Sequence, residues 1–135
     1  MTRVELHPLS GPKRAGQLAR LIADLYAAGR RIVVWVDDEG RRQALDDFLW
    51  TFAKLGFVPH ALWTPSMGDI EDPVALVGEP ANPNRAQVLV IADEPPDGEW
   101  MAAFEEIHDL VPEGPEGEER AAAWDSWRMR HGGGS

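Results

Sequence analysis

The chain has 135 residues, 44% hydrophobic and 27% charged, with 23 acidic against 13 basic side chains and a formal net charge of -10. That length suits one domain around a single core, and the composition is that of an ordinary globular protein. The lack of cysteine excludes disulfides, thiolate metal sites and thiol chemistry, and the acidic balance argues against broad contact with a phosphate backbone.

No apolar run approaches the roughly 20 residues that a membrane span needs, and no charged-then-apolar start suggests a signal peptide, so a cytoplasmic location is expected. The basic residues are unevenly spread. Eight of the 13 lie in the first 42 positions, whereas from Gln43 to Glu119 only Lys54 and Arg85 stand against 17 carboxylates. Either the acidic surface serves solubility alone, or any anionic partner must dock on a small basic island, on the N-terminal third or on the last helix.

Thr2 to Leu9 alternates Val4 and Leu6 with polar residues and predicts a first strand. Ser10-Gly11-Pro12 is a turn suited to a helix start. Leu18, Leu21, Ile22, Leu25 and Tyr26 then mark one face of a helix over Lys13–Ala28, ended by Gly29. Ile32 to Val36 is a continuous β-branched run, as in a strand buried on both faces. Asp38 caps the helix that follows, whose inner face carries Ala44, Leu45, Phe48, Leu49 and Phe52 and which Gly56 closes. Short strands are expected at Ala61–Trp63, Val74–Val77 and Gln87–Ala92, separated by Pro-, Gly- and Asn-rich loops. After the rigid turn Asp93–Gly98, the spacing of Trp100, Ala103, Phe104, Ile107 and Leu110 predicts a helix over Glu99–Leu110. A last helix over Glu118–Arg130 carries Trp124 and Trp127, and residues 132–135 read as a disordered tail. Successive strand–helix–strand steps make an α/β domain over residues 1–131: a mostly parallel sheet of about five strands covered by about four helices.

The nucleotide fingerprints of such sheets are missing. The turn after the first strand holds only Gly11 and Gly16, so it is no GxGxxG, and no GxxxxGK[ST] exists anywhere in the chain. His7, His60, His108 and His131 share no metal spacing such as HExxH and read as surface or structural residues, so neither a metal nor any other cofactor is expected. Asp46 and Asp47 belong to the wet side of their helix, and Ser10 and Ser66 sit in no nucleophile-elbow context. No catalytic residues are expected. What stands out is the surplus of six tryptophans, a residue favoured with arginine at protein–protein contacts; the alternative is that the last helix simply packs Trp124 and Trp127 onto the sheet.

Asp38-Glu39, Leu45-Asp46-Asp47 and Phe48-Leu49-Trp50, followed by Phe57-Val58-Pro59-His60 and Pro73-Val74, closely resemble the chi subunit of bacterial DNA polymerase III holoenzyme. Val88 to Ile91, Phe104-Glu105-Glu106-Ile107, Val111-Pro112 and Arg120 with Trp124 and Trp127-Arg128 continue the likeness along nearly the whole chain. The resemblance implies a Rossmann-like fold without a nucleotide site and a non-catalytic accessory protein. It implies a bridge from the clamp loader, through the psi subunit, to single-stranded-DNA-binding protein, whose acidic, Pro-Phe-ended C-terminal tail it grips. Such a tail needs an apolar pocket for its Phe and cations for its carboxylates. Carried over from the family, the pocket residues are Phe57, Val111, Trp124 and Arg128, with Arg120 a further cation; Trp50 is the candidate contact for the clamp-loader partner. Better-known members carry more Lys and Arg on the last helix than this chain, which has Glu118, Glu119, Ala121, Ala122 and Asp125 and keeps only Arg120, Arg128 and Arg130. Alternatives are a degenerate nucleotide-binding enzyme, and direct single-stranded DNA binding through the tryptophans with Arg30-Arg31 or Arg41-Arg42.

Overall fold

A computed structural model describes residues 2–9, 14–51, 58–96 and 98–131. Valine- and isoleucine-rich runs form the middle of its sheet. β2 (Ile32–Trp35), β4 (Val74–Val77) and β5 (Val88–Ile91) are buried along their whole length. Val34 of β2 registers with Leu76 on one side and Val90 on the other. With β1 (Arg3–Pro8), β3 (His60–Leu62) and β6 (Glu106–Val111), the order is β1-β6-β5-β2-β4-β3, every pairing parallel.

Alternation along the strands separates two apolar layers. α1 (Arg14–Ala27) and α2 (Glu39–Thr51) cover one face, where Leu18, Ile22, Leu45 and Leu49 join Ile32, Val34 and Leu110. α3 (Pro115–His131) covers the other, where Trp124 and Trp127 join Val33, Trp35, Leu89 and Ile107.

The helix ends follow their local chemistry. Asp38 Oδ2 accepts the Arg41 N–H at 2.8 Å, the N-cap bond expected of it. At the end of α1, Arg30 N–H donates to Leu25 O and Gly29 N–H to Tyr26 O, with Gly29 at φ 80°. That is a Schellman ending, which favours glycine because the left-handed conformation crowds a Cβ. The predicted closure by Phe52 and Gly56 lies outside the described residues.

One expected element is different. The Glu99–Leu110 segment is a 3-10 turn over Trp100–Ala103 followed by strand β6, so the sheet has six strands, with three α-helices among the described residues. Glu106, His108 and Asp109, which are not among the inward residues of the expected helix, are all buried. Each is matched by a residue far away in sequence: Glu106 by Arg3 and Arg30, His108 by His7, and Asp109 by Arg120. A strand whose buried carboxylates meet arginines can lie inside the sheet, whatever its hydropathy suggests.

Candidate functional site

Asp109 of β6 organises the α3 face. Strand alternation turns it toward α3, where it is fully buried. The helix reaches it because its first turn sits hard against the chain: a Cβ on Gly117 would lie 1.8 Å from the Pro112 carbonyl oxygen. Arg120 and Trp124, one helical turn apart, then both meet the carboxylate. Arg120 Nε donates to Asp109 Oδ2 at 2.6 Å and Nη2 to Oδ1 at 3.0 Å, while Trp124 Nε1 donates to Oδ2 at 2.7 Å. This bidentate, charge-assisted arrangement fixes the arginine plane. Arg120 Nη2 also donates to Asp93 O at 3.2 Å, tying α3 to the segment after β5.

Between that segment and α3 lies a cavity of about 370 Å³. Pro95, Pro96 and Met101 form one wall, Trp124 and Trp127 the other, and Arg120, Arg130 and His131 bring positive or protonatable groups against Glu94 and Glu99. The two indoles meet edge to face at 5.6 Å, and His131 lies 5.1 Å from Trp127. Trp127 Nε1 is buried and has no hydrogen-bond partner among the described residues, so the cavity wall includes a tryptophan with a donor still to be satisfied. An apolar, aromatic cavity with a few polar groups at its edge suits an aromatic side chain beside a carboxylate.

Beside it, Asp93 couples the ends of β5 and β2. Burial pushes its pKa up, but the Asp38 and Glu94 N–H groups and the Arg41 guanidinium outweigh that and hold the carboxyl below its ordinary value of 3.8.

The residues expected to form one pocket are divided. Arg120 and Trp124 line this cavity. Val111 lines a groove with Leu6, Pro8, Gly117 and Ala121, where the charged lining residues are Glu113 and Glu118. Arg128 donates to the Val4 carbonyl at 2.9 Å and pairs with Asp125 at 3.2 Å. Phe57 lies outside the described residues. Trp50, on α2 and so on the other side of the sheet, is 54% exposed and stands over His60 with ring centroids 4.3 Å apart.

Sequence reasoning named Trp127 and Arg130 on the last helix without assigning them to the pocket, and it missed Met101, Pro95-Pro96 and the anchoring role of Asp109. The Arg120–Trp124 spacing was available as a signal; nothing local says that the proline turn faces α3. Among the described residues, the side chains with metal-ligand proximity are Glu5, His7 and His108, which strand alternation turns toward the α1–α2 face, away from the cavity. The arginines suggested for DNA contact have internal partners: Arg30 meets Glu106, Arg31 three backbone carbonyls, Arg41 Asp93, and Arg42 the Val36 and Asp37 carbonyls. No helix among the described residues is long and apolar enough to cross a membrane.

Comparison with known proteins gives a consistent result. The family described as DNA polymerase III chi subunit, HolC, matches residues 1–134. DNA polymerase III subunit chi of Pseudomonas aeruginosa is 34% identical over 133 residues, 96% of this chain and 89% of that protein. A probable DNA polymerase III subunit chi of Rickettsia prowazekii is 32% identical over 75 residues, 55% of this chain and 44% of that protein.

Proposed function

The chain belongs to the DNA polymerase III chi-subunit family, non-catalytic accessory subunits of the polymerase, and from that premise we propose that it is a cytoplasmic adaptor linking the clamp loader to single-stranded-DNA-binding protein. It does so by holding the acidic, Pro-Phe-ended C-terminal tail of that protein. The observation that carries the reading is the cavity where Trp124 and Trp127 stand beside Arg120 and Arg130. The terminal Phe ring fills the space between the indoles and Pro95-Pro96, and the terminal carboxylate meets the arginines and the Trp127 N–H.

Charge favours this flank of α3 over the Val111 groove, where Glu113 and Glu118 repel an acidic tail. The family likeness also assigns Phe57, Val111 and Arg128 to the tail site; of these, Val111 lines that groove and Arg128 bonds to the Val4 carbonyl, so neither lines the aromatic cavity. Trp50, on the opposite side of the sheet, contacts psi or another clamp-loader component, so that both partners can be held at once.

The test is a pull-down of the cell's own single-stranded-DNA-binding protein, with and without its last residues. Capture only of the intact protein is the expected result. Equal capture of the truncated protein, or none of either, defeats the reading. Quenching of the tryptophans by oligonucleotide without any protein partner would instead favour direct DNA binding.

A further inference from the structure

Strand register gathers side chains that no spacing in the sequence joins. β1 and β6 pair in parallel with Glu5 opposite His108, and His7, two residues beyond Glu5, shares its side of the strand. One ligand atom each from Glu5, His7 and His108 lies within 4.8 Å of the others. His7 Nε2 is 2.8 Å from His108 Nδ1, and Glu5 Oε2 is 3.4 Å from that same nitrogen. The far nitrogen of His108, Nε2, stands 3.3 Å from Glu106 Oε1. Glu106 is itself held by Arg30 and, at 2.7 Å, by Arg3. Arg3 Nε also lies 3.4 Å from Glu5 Oε1, which leaves Oε2 on the His108 side.

We propose that Glu5, His7 and His108 form a site for one divalent first-row transition ion, with zinc as its probe, that pins the edge strand β1 onto β6. Two imidazoles and a carboxylate, without sulfur, suit zinc, nickel or cobalt rather than calcium or magnesium. Tetrahedral zinc with metal–nitrogen bonds of ~2.0–2.1 Å holds two nitrogens about 3.3 Å apart, so the His7 and His108 rings, 2.8 Å apart in their hydrogen bond, need part by only about 0.5 Å to admit the ion.

Glu106 Oε1 stands 3.3 Å from the far nitrogen, on the side from which an outer-shell carboxylate orients a ligating histidine, although no hydrogen bond joins the two. Without the ion, one of the two rings donates to the other across their short contact; for both nitrogens to face the ion, the donating ring moves that proton to its far nitrogen. The Glu5 side chain is 43% exposed, which gives the ion a way in and leaves positions for water. Because this side of the sheet is opposite the α3 cavity, the outcome is independent of tail binding.

The test is titration of the full, chelator-treated chain with zinc by calorimetry and with cobalt by visible absorption. One ion per chain, with cobalt d–d bands and a raised Tm, is expected. His7→Ala should weaken zinc binding at least ~10-fold, and Glu5→Gln, which keeps the side-chain shape, should weaken it in the same direction. His131→Ala, on α3, should leave binding unchanged. Far-UV circular dichroism checks that each variant is folded. No stoichiometric binding to the parent chain, or binding that survives both His7→Ala and Glu5→Gln, overturns the proposal.

Discussion

Arg120 and Asp109 form a bidentate ion pair in which the carboxylate is fully buried and the guanidinium closes over it from α3. The pair joins the last helix to the sheet and sets one wall of the aromatic cavity. Asp109→Ala would leave Arg120 without its main acceptor and the Trp124 N–H unpaired. Breaking a buried pair from one side costs about 3–5 kcal/mol. A loss of that order is expected in urea unfolding, together with loss of tail binding; a change under about 1 kcal/mol would mean that the pair does not anchor α3.

Two helical glycines should respond in opposite directions to the same substitution. Gly117→Ala drives a methyl into the Pro112 carbonyl, at 1.8 Å, and should destabilise by about 1–3 kcal/mol as an overpacked site. Gly16, in α1, has nothing within 4 Å of its absent Cβ, so Gly16→Ala should stabilise by about 0.5–1 kcal/mol through the unfolded chain. Tm measurements on the pair check the sign at each position.

Acid should weaken the fold partly through Asp93. Its pKa is lowered on folding from an ordinary 3.8, so between the folded value and 3.8 the unfolded chain binds more protons. The stabilisation is therefore complete above about pH 5 and lost as pH falls through 3.8 toward the folded value. Asp93→Asn should cost about 1–3 kcal/mol at pH 7, because it weakens acceptance of the Asp38 and Glu94 N–H groups. The exposed Arg41 adds little. Urea unfolding from pH 7 to 3 should show the variant losing less stability on acidification than the parent.

How far the sequence foretold this arrangement depended on where each residue's partner lay. The Ile32–Thr51 strand and helix were legible because a valine run, the Asp38 cap and an amphipathic face all act locally. β6 was not, since Glu106 is neutralised by Arg3 and Arg30 and Asp109 by Arg120, residues that only the fold brings near. The same limit applied to the site. Arg120 and Trp124 could be named from family likeness, whereas the cavity needed the Pro95-Pro96 turn to face α3. The Glu5–His7–His108 cluster needed the β1–β6 register.

The two faces of the sheet should be separable by mutation. Trp50 is 54% exposed on α2, so Trp50→Ala should change stability by under about 1 kcal/mol. It should abolish capture of the clamp-loader component while sparing tail binding. Loss of both activities in a folded variant would place the two partners on one surface.

The most direct measurement is calorimetry at low salt with an acidic peptide ending in Pro-Phe. Micromolar-range binding that weakens as salt is added is the prediction, because carboxylates meet a few partly exposed arginines. Arg130→Ala should lower affinity about 5–30-fold, the effect of one charge-assisted contact of about 1–2 kcal/mol. Arg128→Ala, on the other flank of α3, should lower it less. No heat with the peptide, or binding unaffected by both substitutions, would contradict the account.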